Sequence, residues 1–342
     1  MTRRSLIVKL GALGDVASAL PAAWRLHQSG AQIDWLCGAA VEPLLSCYSW
    51  VHPIVVDETT IFGKRPDLAA LQILAAWMRL TGIDYDLCAT LQYDRRYLLL
   101  TLPVRARRSI ALDRNVRALE LVSERHHSWE FDRILQYLPD GYASENISPV
   151  SPDTLPAIPL PRSGKIRVAL APGGARNTLR DDPLRRWPLE SYAALAHSLM
   201  DQGLEVILTG SRSDAWINPA FRGIAIDNRV GQWSVPELLA FYDSCDCVVT
   251  HDTGSLHLAG LTRCGLVGIF GPTAPSKAMP RRAGVVGLWG GERLPCRPCY
   301  DGRNFAPCRR NECMISVTPA RVLTAVESLL GAPAADWRVE ST

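Results

Sequence analysis

Residues 246–273, DCVVTHDTGSLHLAGLTRCGLVGIFGPT, restrict the fold of this chain more than any other stretch. Cys247, Val248 and Val249 form a short apolar run that ends at the polar, glycine-containing HDTGS, after which Leu256, Leu258, Ala259 and Leu261 recur at helical spacing. A second apolar run, Leu266 to Phe270, stops at Gly271, Pro272 and Thr273. Strand, loop, helix and strand in that order make one βαβ unit, which belongs to a parallel sheet. Both loops leave the same edge of that sheet, the edge at which α/β proteins hold ligands.

A helix that starts at such an edge turns its unpaired N–H groups and the positive end of its dipole outward, which suits an anion such as a diphosphate. Gly254 lets the backbone approach closely, while Asp252, Thr253 and His257 offer an acceptor, a hydroxyl and an imidazole. The same residues also have a purely architectural reading, with Asp252 or Thr253 capping the helix and His257 in the core. HDTGS alone leaves both open.

The βα rhythm extends through the chain. SLIVKL predicts a strand over 5–10, GALG a loop over 11–14, and Val16, Leu20, Ala23 and Leu26 a helix over 15–28. Gly11 and Gly14 do not complete GxGxxG, so a dinucleotide site is disfavoured. Strands over 32–37, 52–56 and 85–90, helical patterns over 41–48 and 68–81, and segments at 97–102, 108–111 and 129–138 complete a doubly wound domain over 1–150. Pro149, Pro152, Pro156, Pro159 and Pro161 crowd the next stretch, which reads as an extended linker over 151–165. A second α/β domain over 166–342 opens with a strand at 167–170 and the loop Pro172-Gly173-Gly174-Ala175-Arg176. It continues with a helix from Pro188, a strand over 205–209 opening into Gly210 and Ser211, and helices over 235–242 and 319–330. Two α/β halves joined in this way describe an enzyme that closes a cleft on its substrates.

Charge and composition narrow the function. The length of 342 residues exceeds the roughly 100–200 of one domain, and a net charge of +3 does not fit a nucleic-acid binder. Arg105, Arg107, Arg108, Arg114 and Arg117 gather in a short span, either as a solvated face or as a patch that meets an anionic acceptor. Lys9 and Asp15 interrupt the first apolar run, and no run approaches the roughly 20 residues of a membrane span, so a cytoplasmic protein is expected. Cys296, Cys299, Cys308 and Cys313 could offer thiolates to zinc or iron. The wide spacing of the second pair and the arginines around it equally fit a reduced, metal-free loop.

Several separated motifs then agree in order along most of the chain. LIVKLGALGDVASALPAAWRL, RRWPLESYAALAHSL with LTGS, THDTGSLHLAGLTRCGLVGIFGPTAPSKAMP and the cysteine-containing PCRPCYDGRNFAPCRRNECMISVTPARV resemble the glycosyltransferase family 9 heptosyltransferases. The resemblance implies a GT-B fold, two Rossmann-like domains facing a central cleft, the first for the acceptor and the second for a nucleotide sugar. It implies inverting, metal-independent transfer of heptose from ADP-heptose to a hydroxyl of the lipopolysaccharide inner core, with no cofactor required. Partners would be an ADP-sugar and an anionic glycolipid or glycan, with peripheral contact at the cytoplasmic face of the inner membrane. Asp15, beside Gly11 and Gly14, matches the family's catalytic base. Arg185 stands where the family pattern has a lysine, two residues before Trp-Pro, and would meet the leaving diphosphate. Asp252, Thr253, Gly254 and His257 match the donor site; Gly271, Pro272 and Thr273 should lie beside it, and Thr209 and Gly210 should border the nucleotide. Protein heptosyltransferases acting on autotransporter adhesins carry a cysteine-bound metal and supply a second reading; a non-catalytic nucleotide-sugar binder is a third.

Overall fold

The computed structural model describes residues 3–63, 65–92, 94–111, 126–136, 147–175, 181–300, 305–331 and 338–341. The chain divides into two compact units, Met1–Thr154 and Leu155–Thr342.

The first unit is a five-stranded, wholly parallel sheet in the order β3-β2-β1-β4-β5. Its strands are β1 (Arg3–Val8), β2 (Ala31–Gly38), β3 (Val51–Val56), β4 (Asp84–Thr90) and β5 (Arg105–Ala111). Its helices are α1 (Leu13–Gln28), α2 (Glu42–Leu45), α3 (Glu58–Ile61), α4 (Pro66–Leu80) and α5 (His127–Leu135), with a 3₁₀ turn over Arg95–Thr101. The first strand starts earlier than its apolar run because Arg4 is held in the sheet by buried Asp34, its Nε donating to Oδ2 at 2.8 Å. Helix α1 likewise begins before Asp15 and takes in Gly14, which the sequence places in a loop. The direction in which strands are added to the sheet reverses between the parallel neighbours β1 and β4, so the loops after those strands, at Lys9–Gly14 and Leu91–Gln92, meet at the topological switch point.

The second unit is a seven-stranded parallel sheet in the order β12-β11-β10-β9-β6-β7-β8. Its strands are β6 (Arg167–Ala171), β7 (Glu205–Leu208), β8 (Asp227–Asn228), β9 (Cys247–His251), β10 (Gly265–Phe270), β11 (Val285–Trp289) and β12 (Arg338–Ser341). Its helices are α6 (Leu189–Asp201), α7 (Val235–Asp243), α8 (Gly254–Gly260), α9 (Pro275–Ala278), α10 (Glu312–Ile315) and α11 (Pro319–Gly331), with 3₁₀ turns over Pro183–Arg185 and Arg212–Phe221. The stretch that opened the sequence reading is the βαβ unit β9-α8-β10, its strands parallel with Val248 beside Leu266. Strand β9 outruns its apolar run because Thr250 and His251 are buried and each makes a side-chain hydrogen bond there. Thr250 Oγ1 donates to Ala171 O at 3.0 Å, and His251 Nδ1 shares a 3.0 Å hydrogen bond with Tyr192 Oη. The switch point of this sheet lies between β6 and β9.

Hydrogen bonds explain where the units part. Asp153 and Thr154 donate backbone N–H groups to Cys47 O, whereas Leu160 and Pro161 accept from the buried guanidinium of Arg167 at 3.0 and 2.5 Å. One end of the proline-rich segment is thus tied to the first sheet and the other to the second. No helix among the described residues is long and apolar enough to cross a membrane.

Candidate functional site

At the switch point of the second sheet, the loops after β6, β9 and β10 converge on one carboxylate. Asp252 is buried, and its Oδ2 accepts from Arg185 Nη1 at 3.2 Å and from Thr273 Oγ1 at 2.8 Å. Burial alone would raise its pKa, yet the charges of Arg185 and His257 and the Thr273 hydrogen bond outweigh it and hold the carboxyl below its usual range. Burial works against the charge of Arg185 as well, but Asp252 and Asp182 keep its pKa above the ordinary value. The guanidinium is thus a fixed cation at the strand ends, and its buried Nε has no hydrogen-bond partner among the described residues. An unspent donor on a fixed cation suits an anion with oxygens in reach.

The capping reading of HDTGS has a definite outcome. Thr253 occupies the N-cap position of α8, but its side chain makes no capping hydrogen bond. Asp252 is engaged with Arg185 and Thr273, and His257 is half-buried close enough to lower the pKa of Asp252. Gly254 opens the helix.

The remaining second-unit residues take different positions. Thr209 is fully buried; its hydroxyl donates to Leu170 O at 3.2 Å and lies 3.0 Å from Tyr242 Oη. A nucleotide at this strand end would therefore meet the backbone around Gly210 rather than the Thr209 side chain. Gly271 and Pro272 are buried, and a Cβ on Gly271 would lie 2.8 Å from Cys313 Sγ, so this glycine serves packing against α10. Arg186 donates through Nε to Gly174 O at 3.0 Å and pairs with Asp181, which makes it a brace of the β6 loop.

Asp214 escaped the sequence reading. Its Oδ1 accepts from Gly174 N at 2.7 Å, and its Oδ2 accepts from Ser211 N at 2.8 Å and Ser211 Oγ at 2.6 Å. One buried carboxylate thereby staples the β6 loop to the β7 loop. Gly173 must lack a side chain because its Cβ would lie 2.4 Å from Asp214 Cγ, and Gly174 has a left-handed φ of +82°. Only the S-x-x-D capping pattern at Ser211 pointed to Asp214.

The cysteine segment lies against the β10 loop. Cys299 N and Tyr300 N both donate to Pro272 O, at 3.1 and 3.3 Å, and Trp289 Nε1 donates to Gly271 O at 3.0 Å. Cys313 is buried while Cys296 and Cys308 are exposed, and burial, with the neighbouring thiols, pushes the Cys313 thiol up to about 11. Among the described residues no three His, Cys, Asp or Glu side chains gather as metal ligands do, so the zinc-or-iron reading of the four cysteines finds no ready-made ligand set.

At the switch point of the first sheet stands Asp15, in the first turn of α1. Its Oδ2 accepts from Lys9 Nζ at 2.7 Å; the lysine is buried, whereas the carboxylate is 42% exposed. Lys9 Nζ also donates to Gln92 Oε1 at 3.3 Å, and Gln92 Nε2 donates to Gly11 O at 3.3 Å. The charge that interrupts the first apolar run is thus the buried counterion of the exposed carboxylate. Arg114, Arg117, Arg176 and the end of the segment read at 129–138 lie outside the described residues.

The chain is similar in sequence and fold to known proteins. Residues 162–308 match the family model described as Glycosyltransferase family 9 (heptosyltransferase). The chain is 29% identical over 157 residues to lipooligosaccharide heptosyltransferase 2 of Haemophilus influenzae, a match covering 43% of this chain and 44% of that protein. It therefore spans less than half the length of that relative. It is 27% identical to lipopolysaccharide heptosyltransferase 1 of Pseudomonas aeruginosa, over 96% of this chain and 99% of that one. The solved ADP-heptose lps heptosyltransferase II of E. coli superposes with a TM-score of 0.69 at 20% identity, over 96% of this chain and 98% of that chain. With its two parallel-sheet α/β units the chain has the GT-B fold of that solved heptosyltransferase, and residues 162–308 carry its match to glycosyltransferase family 9.

Proposed function

We propose that the chain is an inverting glycosyltransferase that moves heptose from ADP-heptose to a hydroxyl of the lipopolysaccharide inner core, at the cytoplasmic face of the inner membrane. The observation that carries this reading is the fixed cation at the second switch point, Arg185 held by Asp252 and Asp182, with a buried N–H that has no acceptor among the described residues. The second unit takes the nucleotide sugar. Arg185, His257 and the uncapped start of α8 meet the diphosphate, and Gly210, Gly271, Pro272 and Thr273 shape the surrounding loops.

The first unit takes the acceptor, and Asp15 is its base. The acceptor oxygen attacks the anomeric carbon, its proton passes to the Asp15 carboxylate, and the bond from that carbon to the diphosphate breaks with its electron pair leaving on ADP. Gly11 and Gly14 flank this carboxylate in the loop and first helical turn, and the ion pair with Lys9 aims it. Charge on the leaving group is met by arginine and backbone amides, so turnover should be unchanged after treatment with EDTA. The deciding experiment offers the protein a panel of sugar nucleotides with a lipopolysaccharide-core acceptor and identifies the nucleotide released. Release of ADP from ADP-heptose, dependent on acceptor, is the expected result; release of another nucleotide, or none, rejects the reading.

A further inference from the structure

The face of α4 that points away from the sheet is apolar where a surface helix should be polar. Ala69, Ala76 and Leu80 cover the packed side. On the opposite side Leu68, Leu71, Leu74 and Met78 stand exposed at spacings of three and four residues, Leu71 by 63% and Met78 by 76%. Trp77 Nε1 donates to Leu99 O at 2.8 Å, which joins the helix to the 3₁₀ turn beside it, and that turn and the residue after it add exposed Leu99 and Leu102. Single exposed leucines need no explanation, but six large apolar side chains on adjoining elements make an interaction surface.

The surroundings indicate what covers it. Exposed arginines stand at the start of α4 (Arg65), in its last turn (Arg79), at the start of the 3₁₀ turn (Arg95, Arg96) and along edge strand β5 (Arg105, Arg107, Arg108). Residues 65–111 carry seven arginines against four aspartates, an excess equal to the net charge of +3 of the whole chain. A second copy docking through the same face would set these arginines against their own images. A sheet of acidic headgroups over hydrocarbon matches both the charge and the apolar stripe.

We infer that the exposed face of α4, with the adjoining 3₁₀ turn and β5, docks on an anionic lipid bilayer. The leucines and Met78 enter the interface, and the arginines lie at headgroup level with their stems along the apolar surface. The inference takes only the lipid-linked acceptor from the proposed function, and its test uses no transfer activity, so the two fail separately.

The test is co-sedimentation of the full chain with vesicles of phosphatidylglycerol and phosphatidylethanolamine, against vesicles of phosphatidylcholine alone. Binding should require the anionic vesicles and weaken with salt. The Leu71→Gln/Met78→Gln variant should partition at least about tenfold less, and Arg105→Gln/Arg107→Gln should lose about fivefold per charge removed. In the unaltered chain, hydrogen exchange of residues 66–80 should slow only with anionic vesicles present, a readout that no misfolded variant can confuse. Equal binding to both vesicle types, no binding, or unchanged exchange in α4 overturns the inference. So does a dimer in sedimentation velocity that Leu71→Gln/Met78→Gln dissociates, which would give the face to a second copy.

Discussion

The proposed base, Asp15, has its carboxylate aimed by Lys9, whose Nζ donates to Oδ2 at 2.7 Å. Asp15→Asn keeps the shape and removes the proton acceptor, so kcat should fall by about 10²- to 10⁴-fold, with melting unchanged within a degree or so. If acceptor-dependent turnover survives, the base is elsewhere. Lys9→Met should lower kcat with little change in the KM for the sugar nucleotide, and Lys9→Arg should restore part of it. Arg185→Ala should cost affinity for ADP itself, measured by calorimetry, whereas Arg185→Lys keeps the charge and loses the fork that spans Asp252 and Asp182. His251 gives a pH signature. Burial first, and the nearby charge of Arg185 next, lower its pKa from 6.5 to about 3. A depressed histidine adds stability that is complete above the unfolded value and lost as pH falls through 6.5 toward 3. The urea midpoint should therefore drop across that window, by at most about 1.4 kcal/mol per pH unit from this group, and less steeply in His251→Gln. Parallel curves would remove His251 from the account. Asp15, Arg185 and Asp252 could be proposed from the sequence because their motifs are local. Lys9 was visible only as a charge in a strand, since its partner in β4's loop, Gln92, is 83 positions away.

Elements are legible in sequence where burial sets a period, and illegible where single hydrogen bonds set the ends. The unit β9-α8-β10 followed from its apolar spacing, as did the strands at the centre of each sheet. Strand β8 has two residues, Asp227 and Asn228, both exposed, so no period exists to detect. The 3₁₀ turn over Arg212–Phe221 owes its start to Ser211 and Asp214, which the sequence shows as one polar cluster. Asp214→Ala would leave the amides of Gly174 and Ser211 without their acceptor at the same time. A loss of about 1–3 kcal/mol for each amide left buried and unpaired is the expected range, read from chemical unfolding, together with a raised KM for the sugar nucleotide. Asp214→Asn, which keeps the acceptor oxygen, should recover part of both; equal effects of the two variants would mean that the carboxylate is not a staple.

At the scale of the molecule, the division after Thr154 has thermodynamic content. Each unit has its own core, one around Leu6, Val8, Leu36 and Tyr85, the other around Leu170, Trp187, Val249 and Ile269. The extended segment between them is exposed over much of residues 151–166. Limited proteolysis should cut first within that segment. ADP should raise the melting of the Leu155–Thr342 half by about 2.7 kcal/mol at a hundredfold excess over Kd, and leave the Met1–Thr154 half unchanged. A single transition that shifts as one would show that the halves do not melt separately. The proline density reads as an extended segment over 151–165, whereas the tie at its start, from Asp153 to Cys47, joins residues far apart in the chain.

The loop that carries Thr273 is gripped from outside: its carbonyls at Gly271 and Pro272 are taken by the Trp289 indole and by two amides of the cysteine segment. A rim anchored at both shoulders has little room to mould itself around a guest. Inhibitor series aimed at this rim should accordingly show steep, all-or-nothing tolerance to added bulk.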